Sequence, residues 1–404
     1  MSKKNKTSSK IKRFLAIFIT LFVLLNIGIV MSGKTYLYKG IQYTYLKGKM
    51  GPGIYDSIIF PVRIAKNSAE TESWTKSQQI ELSAEAKELL KSTKTTSFLI
   101  LKDGEIIHES YYEKHNESVK SNTFSMAKSF IGLLIGIAKD EGKIKSFDDL
   151  ITDYMPFNLP GDEKRTIRHL LGMSSGLDWG ESGANPLSDN AEAYYTSNLN
   201  ELMQRQSFVG EPGSFEYKSG NSQLLGIILE QATGMSPTAY FEEKIWSKIG
   251  AENDFYWSLD QKDGEEKTFC CGYATTRDYA KMGQLLLNHG KWNQTSIIKS
   301  RTLTELTRAY NDSTTWYGLH FWIYPNPKHP AVYYRGILGQ YIIVVPSLNA
   351  VLVRTGHKRK GNFSNTDGKA QSHDGPSTES YKEYHPMDLF DYLEVLEQVV
   401  TEAN

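Results

Sequence analysis

A serine followed by a lysine one helical turn later is a pair that can do chemistry. The stretch "NTFSMAKSFIGLLIGIAKDEG", residues 122–142, sets Ser125 at the mouth of an apolar run and Lys128 three positions on. At that spacing the two side chains share a helix face. A helix start also offers partial positive charge and free N–H groups for a developing oxyanion. Burial would lower the ammonium pKa toward that of a usable base, so the pair could activate the serine as a nucleophile. The plainer reading is a helix cap worth ~1 kcal/mol followed by a surface charge. Ser-x-x-Lys recurs at Ser9/Lys12, Ser73/Lys76 and Ser296/Lys299, but only Ser125 opens a long apolar helix.

Two further segments carry polar or permissive groups beside apolar ones. "GEPGSFEYKSGNSQLLGIILEQATG" (210–234) holds Tyr217, Ser219 and Asn221 in a glycine-bounded loop just before a helix. Such a loop can point polar groups into a cleft while the helix anchors it, and a tyrosine near a lysine can act as general base or acid. On composition alone, a plain loop ending in a cap at Asn221 or Ser222 is the stronger reading. "YYRGILGQYIIVVP" (333–346) puts Gly336 and Gly339 at the head of a strand, where a substrate can approach the strand's N–H groups. A simple bulge would look the same.

These groups need elements to hold them. Residues 3–13 carry six basic residues and no acid, and Phe14–Met31 then runs without a charge. That length meets the roughly 18 apolar residues of a membrane span, and the basic flank keeps the N-terminus cytoplasmic. No Ala-x-Ala pattern follows, so an uncleaved anchor is preferred to a removed signal. The expected layout is a basic cytoplasmic tail (1–13), an anchor (14–32), a stalk and lead-in (33–90) and one folded domain (91–404) placed outside the cytoplasm. "SFLIL" and "EIIHESYY" around Asp103-Gly104 predict a hairpin. Helical periodicity dominates to about residue 310, including 220–234 stopped by Gly234 and 275–290 capped by Thr276 and ended by Gly290. Strands are expected at 317–324, 340–346 and 350–356, a polar loop at 357–380 and a last helix near 387–401. Strands at both ends with helices between predict an α/β (α+β) fold: one antiparallel sheet built from both chain ends, with a helical subdomain inserted at about 140–290.

Composition narrows the functions. Formal net charge is zero, which gives no footprint for nucleic acid. The nine histidines show no metal-ligand spacing, and no cofactor motif stands out. Cys270 and Cys271 are adjacent, and neighbours rarely bridge without strain, so no disulfide framework is implied.

With these pieces in order, the chain resembles the serine β-lactamase and penicillin-recognising superfamily, in the branch of class C β-lactamases, esterases and the 6-aminohexanoate-dimer hydrolase. "SMAK" (125–128) is similar to its first motif, "YKSGN" (217–221) to its second, and "GILG" (336–339) with Gln340 stands in place of its third. "TIRHLLGMSSGLDWGE" (166–181) and "YATTRDYAKMGQLLLNHGKW" (273–292) fit stretches between. The resemblance covers about residues 90–400 and implies a β-lactamase/transpeptidase-like fold and a cofactor-free serine hydrolase. Ser125 would be acylated, Lys128 and Tyr217 would manage its proton, and the N–H groups of Ser125 and Gln340, at the Gly339 turn, would hold the oxyanion. The second motif usually reads Tyr-x-Asn; here Ser219 takes that place, with Asn221 the second choice for substrate contact. Ile337 and Leu338 replace the third motif's cationic or hydroxyl residues, which implies esters or amides of uncharged acyl groups. The rivals are a β-lactamase or D-Ala-D-Ala peptidase, and a non-catalytic binding or sensor protein on the same fold.

Overall fold

In the computed structural model, which describes residues 3–49, 51–68, 70–183, 185–361 and 383–403, the chain begins with helix α1 (Lys3–Met31) and α2 (Tyr36–Tyr43). Strand β1 (Val62–Ala65), α3 (Ala84–Ser92), β2 (Thr95–Lys102), β3 (Glu105–Tyr111), β4 (Ser121–Asn122) and α4 (Met126–Asp140) follow. Next come α5 (Ile167–Leu171), α6 (Asp189–Tyr195), α7 (Leu199–Gln204), α8 (Ser219–Thr233) and α9 (Pro237–Phe241). Strands β5 (Phe255–Ser258) and β6 (Gly272–Ala274) lead to α10 (Thr276–Leu287), the hairpin β7 (Lys291–Trp292) and β8 (Thr295–Ser296), and α11 (Ser300–Thr307). The chain closes with β9 (Trp322–Tyr324), β10 (Ala331–Gly336), β11 (Gln340–Val345), β12 (Ala350–Gly356) and α12 (Met387–Ala403).

The main sheet has six strands in the order β3-β2-β12-β11-β10-β9, all antiparallel. Its centre joins the two ends of the domain, with Leu99 of β2 opposite Val353 of β12. Period-two alternation divides the side chains between two cores. Leu99, Leu101, Ile342 and Val344 enter the core around α4, while Phe98, Ile100, Tyr341 and Ile343 enter the one closed by α3 and α12. A sheet covered on both faces explains why these strands read as continuous apolar runs. Helix α4 passes through the first core with every residue from Met126 to Ala138 buried.

Several expectations need correction. A second, four-stranded sheet, β1-β5-β6-β4, lies partly within the segment expected to be helical. The 33–90 segment is not a free stalk. Tyr36, Ile54, Phe60 and Ala65 are buried, the Tyr36 hydroxyl donates to Pro186 O, the Asn122 N–H donates to Ile54 O, and β1 pairs with β5. Its apolar residues have too much surface to leave in water. Helix α10 is capped by Thr275, whose side chain accepts from Asp278 N, one residue before the expected cap, and it ends at Leu287. Only Trp322–Tyr324 of the 317–324 stretch is strand, because His320 turns the chain at φ 66°. Cys270 and Cys271 are joined as a disulfide, their Cα atoms 3.7 Å apart, with Cys271 at φ 72° turning the backbone to bring the sulfurs together. Most of the 357–380 loop lies outside the described residues. Helix α1 is long and apolar enough to cross a membrane from Lys10 to Met31, and Phe14, Ile17, Leu21 and Leu25 on it are exposed.

Candidate active site

Ser125 hangs from the second sheet. Strand β4 pairs with β6 through Ser121–Ala274 and Asn122–Tyr273, and Thr123 N donates to Gly272 O. Phe124 then takes a left-handed φ of 43°, held by the Asn122 side chain accepting from its N–H at 2.8 Å. A non-glycine residue in that region stores backbone strain, a cost met at sites the surroundings over-determine. The turn delivers Ser125 to the start of α4 in helical geometry, and its side chain makes no capping bond. The hydroxyl is therefore not spent on the helix.

Lys128 Nζ reaches Ser125 Oγ at 3.1 Å and donates to Phe269 O at 2.7 Å. It is 1% exposed. Burial lowers its pKa to about 8, against the smaller upward pull of the Glu181 carboxylate. The Tyr217 phenol lies near enough to Ser125 for the serine side chain to favour its ionised form. Burial first, and Glu181 second, push the Tyr217 pKa up, so the phenol holds its proton in the resting site. The Tyr217 ring stacks on Trp322 with centroids 5.5 Å apart and stands 5.3 Å from Lys128 Nζ.

Ser219 opens α8, and both its N–H and its hydroxyl donate to Glu181, at 2.6 and 2.7 Å. Asn221 lies in the core, where its Oδ1 accepts from Ser175 Oγ and its Nδ2 faces Met173 Sδ. The structure thus brings Ser125, Lys128, Tyr217 and Ser219 together and leaves Asn221 outside the cleft. Gly336 and Gln340 face each other at the β10–β11 turn. A Cβ on Gly336 would stand 2.3 Å from Thr123 O, so this turn abuts the residues just before the serine. Gly339 sits at φ 81° with Arg354 donating to its carbonyl, and the buried Gln340 has its side chain tied to Gly356. Arg335 lies 3.4 Å from the Trp322 ring on which Tyr217 also stacks, donates to Tyr384 O, and is not among the residues lining the Ser125 cavity.

That cavity has a volume of about 470 Å³ and is lined by Ser125, Glu181 and Ser219 among apolar residues. Among the described residues no cluster of His, Cys, Asp or Glu is arranged to hold a metal. Sequence reasoning missed three parts: the Glu181 carboxylate, the Phe269 carbonyl that orients Lys128, and the lead-in helix forming a wall. Glu181 stands at the end of a family-like stretch, but a lone acid has no pattern to single it out.

A protein-family model described as Beta-lactamase matches residues 83–374. The chain is 26% identical over 220 residues to the 6-aminohexanoate-dimer hydrolase of Paenarthrobacter ureafaciens, covering 50% of this chain and 54% of that one. It is 28% identical over 195 residues to protein flp of Staphylococcus aureus strain N315, covering 44% and 37%. The chain spans about half the length of the curated relatives it matches. Of solved structures, a Bacillus anthracis protein assigned as a 6-aminohexanoate-dimer hydrolase superposes with a TM-score of 0.70 at 23% identity, covering 85% of this chain and 91% of that one. A family VIII carboxylesterase superposes with a TM-score of 0.56 at 18% identity, covering 80% and 99%. At those identities the likeness concerns the fold, and it agrees with the sheet built from both chain ends. With fold and family model in accord, the chain belongs to the beta-lactamase family.

Proposed function

We propose that this protein is a membrane-anchored serine hydrolase that cleaves an ester or amide bond through an acyl-enzyme at Ser125. One observation carries the reading: an uncapped serine hydroxyl that lines a cavity and is met by a buried lysine amine at 3.1 Å, with the Tyr217 ring 5.3 Å from that amine. With a pKa of about 8, Lys128 is in part a neutral amine at pH 7 to 8. A neutral amine keeps two N–H bonds, one for Phe269 O, and turns its lone pair toward Ser125 Oγ. It takes the serine proton as Oγ attacks the carbonyl carbon. The Ser125 and Gln340 N–H groups receive the oxyanion. Tyr217, which holds its proton at rest, passes it to the leaving alcohol or amine and is reprotonated by Lys128. Water then releases the acid by the same relay run in reverse. The hydrolase and carboxylesterase among the relatives support ester or amide chemistry. Among the described residues lining the cavity there is no arginine or lysine, and Arg335 is held against Trp322 and Tyr384, which favours short esters over cephalosporins.

A serine-directed fluorophosphonate should label Ser125 and no other serine; labelling that persists in Ser125→Ala refutes the reading. The exposed apolar face of α1 supports the anchor, with the folded domain outside the cytoplasm. Full-length protein should stay with membranes through carbonate washing, since a span of ~18 apolar residues inserts stably. A mature N-terminus near residue 33 would show a cleaved signal instead.

A further inference from the structure

The cavity that holds Ser125 is walled by the end of the anchor itself. Leu25 and Ile29 of α1 line it together with Leu37 and Ile41 of α2, and Ile337 also contributes. Leu25 lies six residues before the end of α1, so it sits about 9 Å inside the span at 1.5 Å per residue. If α1 spans a bilayer as proposed above, a cavity bounded both by the nucleophile and by the end of α1 lies at the bilayer surface. Its apolar lining residues Ile41, Tyr45 and Ile337 are themselves solvent-exposed, at 41%, 53% and 45%. Monomeric proteins seldom leave such residues around a site without something to cover them. The fixed attachments of the lead-in hold this wall in place: Tyr36 to Pro186 O, and Tyr194 to Asp56 Oδ2 at 2.9 Å. Ser125, Glu181 and Ser219 mark the catalytic end of the cavity, while Thr44 and Asn190 are polar residues elsewhere in its lining.

We infer that the substrate is a membrane-resident acyl ester whose hydrocarbon chain slides from the outer surface of the bilayer into this cavity. The inference rests on the acyl-enzyme and anchor readings above and adds the class of substrate. A volume of about 470 Å³ falls within the roughly 300–1,000 Å³ of sites for single small ligands, which suits one chain rather than a polymer. The chain occupies the apolar wall of α1 and α2 while its carbonyl stands at Ser125. The Oγ–acyl bond forms as the ester C–O bond breaks. The alcohol departs with the proton relayed by Tyr217, and water later cleaves the acyl-serine to the free fatty acid.

The test uses the full chain reconstituted in phosphatidylcholine vesicles and a series of 4-methylumbelliferyl esters from acetate to oleate. For esters short enough to reach the cavity from water, kcat/KM should rise about fourfold per added methylene, the equivalent of ~0.8 kcal/mol. Oleate held in the bilayer should be turned over. Ile41→Asp and Ile337→Asp, both at exposed positions that tolerate charge for folding, should each lower the oleate-to-acetate ratio of kcat/KM at least tenfold. Flat or falling rates with chain length, or an unchanged ratio in both variants, overturn the substrate proposal. Acetate hydrolysis that depends on Ser125 would in that case leave the acyl-enzyme reading standing. Loss of chain-length preference with all hydrolysis surviving Ser125→Ala would overturn both.

Discussion

The protonation of Lys128 is the quantity on which the site turns. Burial brings its pKa to about 8, and Glu181 pulls it up from where burial alone would leave it. In the proposed relay the neutral amine is the working form, so kcat/KM for an ester should rise with pH and level off above an inflection near 8. Glu181→Gln removes the charge that favours the ammonium, so its inflection should move to lower pH. An unchanged inflection would show that Lys128 is not the base. Tyr217→Phe should cost roughly 10²-fold or more, the scale of a positioned proton carrier. Ser125, Lys128 and Tyr217 stand out in sequence because each lies at or just before the start of an apolar helix and matches a family motif, not because the local pattern alone favours catalysis. Ser219 and Asn221 were not separable, since both sit on one short polar stretch. Two residues along a helix differ by about 200°, and the fold turns Ser219 to Glu181 and Asn221 to Ser175. Glu181 meets Ser219 across 38 positions, a pairing that only the folded chain makes.

At the level of elements, the serine is placed by two sheets at once, β4 from below and the β10–β11 turn from the side. Gly336 is where they meet. A Cβ there would stand 2.3 Å from the Thr123 carbonyl and 3.2 Å from Phe124 Cβ, and backbone must move to admit it. Gly336→Ala should push the Gln340 N–H away from the oxyanion position and lower kcat roughly 10²-fold, the loss seen on removing one such donor. Ester kinetics together with a melting curve check this; a large fall in Tm with kcat preserved in the folded fraction would assign Gly336 to packing alone. The main sheet was readable because β2, β11 and β12 are long apolar runs between turn residues. The second sheet was not. Strands β4, β5 and β6 have two to four residues, too few for alternation to show, and β1 reads as an irregular lead-in until β5 pairs with it.

Across the whole molecule, among the described residues, burial lowers the pKa of six histidines, His108, His115, His169, His320, His357 and His385, and it lowers His115, His320 and His385 furthest. His320 sits under α4 with Nδ1 2.7 Å from Leu171 O and Nε2 2.8 Å from Ser222 Oγ, and burial takes its pKa down to about 3. His385, with Nδ1 2.6 Å from the Tyr333 hydroxyl, is likewise lowered to about 3, and His115 beside Tyr55 to about 4. In the unfolded chain each returns to about 6.5. Between these values the unfolded state binds protons that the native state refuses, so stability rises with pH through that window. The contribution is fully present above about pH 6.5 and is lost as pH falls toward 3 to 4. Acidifying to one pH unit below 6.5 costs ~1 kcal/mol for each histidine, since a tenfold change in proton activity is worth about 1.36 kcal/mol. Three together take a large share of the ~5–15 kcal/mol that holds a typical domain. Buried carboxyls raised in pKa, such as Glu181 and Asp278, act the other way over part of the range. The histidine contribution is therefore best isolated by difference. Urea unfolding of the full chain in detergent, from pH 7.5 to 5, should show stability falling with acid. His320→Gln, which cannot titrate, should lose the His320 share of the histidine slope even where its stability at pH 7.5 is lower. A variant slope equal to that of the unsubstituted chain would mean that His320 is protonated in the native core, and its bond to Leu171 O would then be that of an imidazolium.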